Sequence, residues 1–211
     1  MIKKILLIVF LFPTMVNAHE NDYFKIDMKD TFNEVIIEDN NYTWTSKNDT
    51  NLPQITITIQ KNDSITKQDV SKYSEENLLT YKKNIEKKFK ESLKEYDLTV
   101  KISDITKDKL NNYEALYYTT FWPTKESFKY DMYQKTYLIT TDKYITTINI
   151  IDSTEKTSNE IKDILKSIKI NDNNIKKESF FEKQTNQIII VGLVAGLLGF
   201  IISVITRRKR K

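Results

Sequence analysis

All three glycines of this 211-residue chain, Gly192, Gly196 and Gly199, fall inside one uncharged apolar run, Ile188–Thr206. Its 19 residues, at about 1.5 Å rise each, make roughly 28 Å of helix, close to the thickness of a bilayer's hydrocarbon core. Arg207, Arg208, Lys209, Arg210 and Lys211 follow at once. A basic tail of this kind stops translocation, stays in the cytoplasm and meets anionic lipid headgroups there. The same distribution leaves everything before the run without a glycine. Any turn there that needs a positive φ must use Asn or Asp, which tolerate it best among the other residues. Asn40-Asn41, Asn111-Asn112 and Asn171–Asn174 are placed for that role.

The other end agrees with a membrane destination. Met1–Ala18 has the form of a secretory leader: Lys3 and Lys4 at its start, the apolar Ile5–Phe12, a break at Pro13, and small residues at Val16-Asn17-Ala18. Ile5–Phe12 is too short to span a bilayer. Cleavage after Ala18 starts the mature chain at His19, or close to it; an uncleaved leader would act as a signal-anchor and leave the middle of the chain outside all the same. The expected organisation is a leader at 1–18, an extracytoplasmic domain at 19–172, a polar stalk at 173–187, one transmembrane helix at 188–206 and a cytoplasmic tail at 207–211. Within the stalk, Phe180-Phe181 suit the lipid interface.

Composition narrows the function classes. The formal charge of +4 misleads, because seven of the 33 Lys and Arg residues belong to the leader and tail while all 29 acidic residues lie between them. The exposed part is therefore about −3, with both signs interleaved. It carries no basic stripe of the kind that binds nucleic acid. There is no cysteine, so a domain outside the cell must rely on its core alone, without disulfides, lipidation, a thiol nucleophile or a thiolate metal site. About 150 residues suffice for one such core. The abundance of Lys, Asn and Ile, with little Gly or Ala, points to an AT-rich genome and a Gram-positive bacterium.

Periodicity gives the elements. Tyr23–Met28, Thr31–Glu38, Tyr42–Ser46 and the alternating Ile55–Ile59 read as strands. Between Ser74 and Tyr96 the period changes: Tyr81, Ile85, Phe89 and Leu93 recur every four residues, with Leu78 on the same side. That is an amphipathic helix capped by Ser74, with Glu75 and Glu76 in its first turn. Strands resume at Leu98–Ile102 and at Tyr113–Trp122, which is apolar on both faces and so covered on both sides. Phe128–Thr140 and Lys143–Ile151 form a hairpin around Thr141-Asp142, and Ser158–Ile168 is a second helix with the stripe Ile161, Ile164, Leu165, Ile168.

This order, with Lys109-Leu110-Asn111-Asn112-Tyr113-Glu114-Ala115-Leu116-Tyr117-Tyr118 after the long helix, resembles the PsbP-like domain family. So do Tyr133–Leu138 followed by Tyr144–Thr147, and the closing helix Glu160–Ile168. The resemblance covers about residues 22–172. Asn112 stands where the family usually has a glycine, as a substitution at a left-handed turn. The resemblance implies an α+β fold: an antiparallel sheet flanked by two helices, an α-β-α sandwich. It also implies a binding or assembly module with no common catalytic residues and no cofactor.

Candidate chemistry is sparse. His19 is the sole histidine, and a chelating N-terminal His needs a second one. Glu75, Glu76, Asp39 and Asp172 are explained by capping and turns, and no run has the oxygen spacing of a calcium loop. No histidine is available to activate a serine, and no pattern selects a carboxylate pair. The expectation is a protein that is not an enzyme. Among the many aromatics, Phe121, Trp122 and Phe128 flank a connection and are the candidate partner-binding residues. In the span, Gly192, Gly196, Gly199 and Ser203 make a small-residue stripe suited to close helix–helix approach, either with a second copy or with a partner. Gln184-Thr185-Asn186 resembles the end of a wall-sorting signal, but Glu182-Lys183 replace its proline-bearing core, which leaves a wall-anchored surface protein as an alternative. The principal expectation is a single-pass, membrane-tethered accessory module that docks onto a membrane or surface protein. A small-ligand-binding or carboxylate-based enzymatic domain is the competing class.

Overall fold

The computed structural model describes residues 17–63, 67–94, 99–124 and 131–171. Eleven strands and two helices alternate along them. The strands are β1 (Asn17–Glu20), β2 (Phe24–Met28), β3 (Ile36–Glu38), β4 (Asn41–Thr45), β5 (Gln54–Lys61), β6 (Lys101–Ile102), β7 (Thr106–Leu110), β8 (Tyr113–Trp122), β9 (Met132–Thr140), β10 (Tyr144–Asp152) and β11 (Lys169–Ile170). The helices are α1 (Glu75–Leu93) and α2 (Asn159–Ser167), and a short 3-10 turn at Val70–Lys72 precedes α1. Every strand pairing among the described residues is antiparallel. The large sheet runs β3-β4-β5-β10-β9-β8-β6, with β7 also on β8; a small sheet runs β1-β2-β11. The class is α+β, as the resemblance implies.

Alternation along the central strands sends side chains to two separate cores. Leu116, Tyr118 and Trp122 of β8, Leu138 of β9, and Ile145 and Ile151 of β10 pack with Tyr81, Ile85, Phe89 and Leu93 of α1. Ala115, Ile139, Ile148 and Ile150 turn the other way, toward Ile161, Ile164 and Leu165 of α2 and Phe24, Ile26 and Met28 of β2. The second cover is thus a helix and a small sheet together, not a helix alone. The sequence predicts cover on both faces of β8, but only one face has it throughout. Leu116, Tyr118 and Trp122 lie under α1, whereas the second cover reaches only Tyr113 and Ala115 and leaves Tyr117 and Phe121 half-exposed.

The helix signals are satisfied in detail. The Ser74 hydroxyl accepts from Asn77 N, and the Asn77 side chain accepts from Ser74 N, so the cap is reciprocal. Ser158 caps α2 by accepting from Ile161 N. The glycine-free turns use Asp39, Asn51 and Asn111, at φ 53°, 56° and 56°. The left-handed residue before β8 is therefore Asn111 and not Asn112. Its side chain also explains the choice of residue, because Nδ2 donates to Leu165 O at 3.1 Å and Ile168 O at 2.9 Å. One residue thus turns the chain into β8 and closes the C-terminal end of α2.

The expected leader boundary falls inside an element. β1 begins at Asn17 and pairs Ala18 with Asp27, His19 with Ile26 and Glu20 with Lys25. Among the described residues no helix is long and apolar enough to cross a membrane. The span expected at Ile188–Thr206, with Gly192, Gly196, Gly199 and Ser203, and the tail Arg207, Arg208, Lys209, Arg210 and Lys211 lie outside the described residues.

A candidate docking face on strands β8 and β9

The aromatic residues of β8 and β9 divide by parity. Tyr118 and Trp122 point under α1 and are 0% and 3% exposed. Trp122 stands edge-on to Phe89, 5.7 Å between centroids and 90° between planes. It is a core residue, and the docking role expected for it has no surface to act through. Phe121 lies on the opposite face and is half-exposed. Phe128 lies outside the described residues.

Phe121 is one of four aromatic side chains arranged as two cross-strand pairs. Tyr117 opposes Tyr137 and Phe121 opposes Tyr133, with Thr119 opposite Lys135 between them. The rings meet at 4.9 Å and 40° in the first pair and at 5.1 Å and 43° in the second. Such pairs stabilise a sheet by about 0.2–1 kcal/mol each. At about 3.4 Å per residue, Tyr117 and Phe121 are roughly 14 Å apart along the strand, so the strip is as long as a short peptide or a loop tip. All four rings are half-buried, which leaves apolar surface at the boundary with water.

The electrostatics of the strip are mixed. Lys135 is buried, and desolvation lowers its pKa, while Asp152 and Glu155 act in the opposite direction. The Tyr137 hydroxyl is pushed up to about 12, first by burial and then by Tyr117 and Asp108. The Tyr117 hydroxyl is raised by burial, Asp108 and Glu155. Both phenols therefore remain protonated donors at neutral pH. The strip offers ring surface, two hydroxyl donors and an acidic margin at Asp108, Asp152 and Glu155. A strip of this kind can anchor a partner by its aromatic rings.

The other candidates fall elsewhere. His19 is packed by three rings, with centroids 5.7 Å from Phe24, 5.7 Å from Tyr42 and 5.5 Å from Trp44, and Asn21 Nδ2 lies 3.4 Å from its Nε2. Glu75 and Glu76 occupy the first turn of α1, and Asp39 sits in the turn before β4. Among the described residues no three His, Cys, Asp or Glu side chains converge as metal ligands do. Sequence reasoning assigned most of the β8 and β9 aromatics to the core. The parity of the strand separates them, since Tyr117 and Phe121 alternate with Tyr118 and Trp122. It also missed Ile36 and Ile37, which are exposed on the edge strand β3.

No protein-family model matches this chain, and no curated protein matches it. Solved structures do. The solution structure of cyanobacterial PsbP from Synechocystis sp. PCC 6803 is similar at a TM-score of 0.51 and 8% identity, over 76% of this chain and 95% of that one. A crystal structure from Bacteroides thetaiotaomicron gives a TM-score of 0.45 at 11% identity over 70% of this chain, and the match spans only 45% of that protein's length. A Pseudomonas aeruginosa protein of unknown function gives 0.31 at 9% identity, over 61% of this chain and 76% of that one. The fold is PsbP-like, and the likeness is one of fold.

Proposed function

We propose that this chain is a non-catalytic accessory module, held at the outer surface of a membrane by Ile188–Thr206, that docks onto a membrane or surface protein through the β8–β9 aromatic strip. The observation that carries this reading is the strip itself: Tyr117, Phe121, Tyr133 and Tyr137 half-exposed on one sheet face. Half-exposed aromatic rings on a rigid sheet lose little side-chain freedom on binding, and such residues dominate protein interfaces. The PsbP-like fold supports an assembly role. The apolar run with its basic tail supports tethering, and Gly192, Gly196, Gly199 and Ser203 would let the tether pair closely with a second copy or with the partner's helix.

The test is mild crosslinking in native membranes, followed by purification of the full-length chain and identification of what comes with it. The wild type should capture a reproducible membrane protein. The double variant Tyr117→Ala/Phe121→Ala should lose about tenfold or more of that yield, the usual effect of removing anchor residues. Equal capture by a folded double variant refutes the assignment of the strip. Extraction by detergent alone separates a membrane tether from covalent wall attachment.

A further inference from the structure

The sheet face beneath α1 is polar at a place where a core is normally apolar. Thr120 and Gln134 stand opposite each other on β8 and β9; Tyr118 and Thr136 are the next pair on that face, and Asn149 continues the row on β10. Tyr118, Thr120, Gln134 and Thr136 are 0% exposed, and so is Tyr81 of the covering helix. Part of the set satisfies itself. Gln134 Nε2 donates to Thr136 Oγ1 at 3.1 Å and Asn149 Oδ1 at 3.0 Å, and Thr136 Oγ1 donates to Asn149 Oδ1 at 2.8 Å.

Among the described residues, four buried atoms on this face have no hydrogen-bond partner: Gln134 Oε1, Thr120 Oγ1 and the hydroxyls of Tyr81 and Tyr118. Buried polar groups in native proteins are almost always hydrogen-bonded, and a cluster of exceptions on one face marks a place where another molecule supplies the bonds. The chemistry of that molecule follows from the donors and acceptors. Gln134 Oε1 only accepts, so the guest must donate. Thr120 and Tyr81 can donate or accept, so it must also tolerate both. Among the described residues no charged side chain is buried on this face: Lys135 points to the other side of the sheet with Ile139, and Lys107, Lys109 and Glu114 are exposed at the β7 end. A charged guest would be desolvated without a counter-charge. Tyr73, half-buried and edge-on to Tyr81 at 6.4 Å, carries the seam toward the surface at the start of α1.

We propose that the seam between α1 and β8–β9 binds small neutral hydroxylic molecules, either internal water or a short polyol. The full chain in detergent tests this through three measurements: urea unfolding, water-oxygen relaxation dispersion to detect long-lived internal water, and the stabilisation given by added glycerol. Tyr81→Phe and Thr120→Val should each reduce the folding equilibrium constant roughly five- to a hundredfold, because they strip bonds from a bound guest. They should also abolish either the long-lived water signal, which identifies water, or the saturable excess stabilisation by glycerol, which identifies a polyol. Thr120→Ser keeps the hydroxyl and should keep the signal. Variants as stable as the wild type, or more stable, overturn the proposal, because they show hydroxyls that truly lacked partners. Destabilisation with neither signal, or with signals unchanged, also overturns it, since the hydroxyls would then serve packing alone.

Discussion

Trp122→Ala should be among the most damaging single changes in this chain, and Phe121→Ala, one residue away, among the mild ones. Trp122 is 3% exposed and sits in the core under α1, edge-on to Phe89. Truncating a buried Trp to Ala costs about 3–5 kcal/mol through lost transfer energy and the cavity left behind. A domain of this size is stable by only about 5–15 kcal/mol, so the loss is a large share of the total. At about 2–4 °C per kcal/mol, the melting temperature should fall by roughly 6–20 °C. Phe121 is half-exposed and stacks on Tyr133 at 5.1 Å, so its truncation should cost about 1 kcal/mol. Circular dichroism melts of the full chain in detergent measure both. A double-mutant cycle of Trp122→Ala with Phe89→Ala should return a coupling of about 0.5–1.5 kcal/mol for the edge-to-face pair. Equal losses at positions 121 and 122 would refute the parity argument, and with it the division of β8 into a core face and a docking face.

Three further outcomes are expected. Asn111→Gly should accommodate the φ of 56° yet still cost about 1–3 kcal/mol in chemical unfolding, because the bonds to Leu165 O and Ile168 O are lost; a glycine variant as stable as the wild type would remove the helix-closing role. Burial lowers the pKa of His19 below 6.5, so the folded state disfavours its charged form. Its contribution to stability is complete above pH 6.5 and declines as the pH falls from there through the folded-state value. Amide exchange at Ile26, its register partner, should accelerate on acidification in the wild type and lose that dependence in His19→Gln. Finally, Gly196→Ile should weaken association of the 188–206 segment in a membrane two-hybrid assay, and unchanged association would dismiss the small-residue stripe.

What was legible in the sequence followed periodicity. The four-residue spacing of Tyr81, Ile85, Phe89 and Leu93 is the buried face of α1, and all four are core residues. Tyr113–Trp122 is a strand over its whole predicted length. Elements without an apolar signature escaped. β7 consists of Thr106–Leu110 with four of its five residues exposed, so its pairing to β8 is a matter of backbone hydrogen bonds that no side-chain pattern announces. β1 straddles the expected leader boundary, with Asn17-Ala18 suiting a cleavage site and His19-Glu20 beyond it, so it carries no strand signature of its own. Of Thr31–Glu38 only Ile36–Glu38 forms a strand, joined by an isolated bridge from Phe32 to Ser46. Positive φ falls on Asn or Asp as required, but at Asp39 rather than the expected Asn40-Asn41, at Asn51 where no turn of this kind is expected, and at Asn111, whose place is fixed by its bonds to α2. The aromatic strip was written in the alternation of β8, yet only the cover on each face decides which parity is core.

The last described residues, ahead of the stalk expected at 173–187, also bear on how the domain would carry tension. Asn171 N donates to Tyr23 O at 2.8 Å, and its Nδ2 donates to Asn21 O at 2.7 Å. Ile170 pairs with Phe24, while the Tyr113 hydroxyl donates to Ile170 O at 3.1 Å and accepts from Ile170 N at 3.0 Å. A pull arriving from beyond Asn171 therefore meets a two-residue strand and a single tyrosine clasp before it reaches β8. A strand so short peels bond by bond, whereas the eight- and nine-residue ladders of β5, β9 and β10 share a load across their length. The join is the mechanical fuse of the molecule: it would release β11 first and leave the large sheet standing.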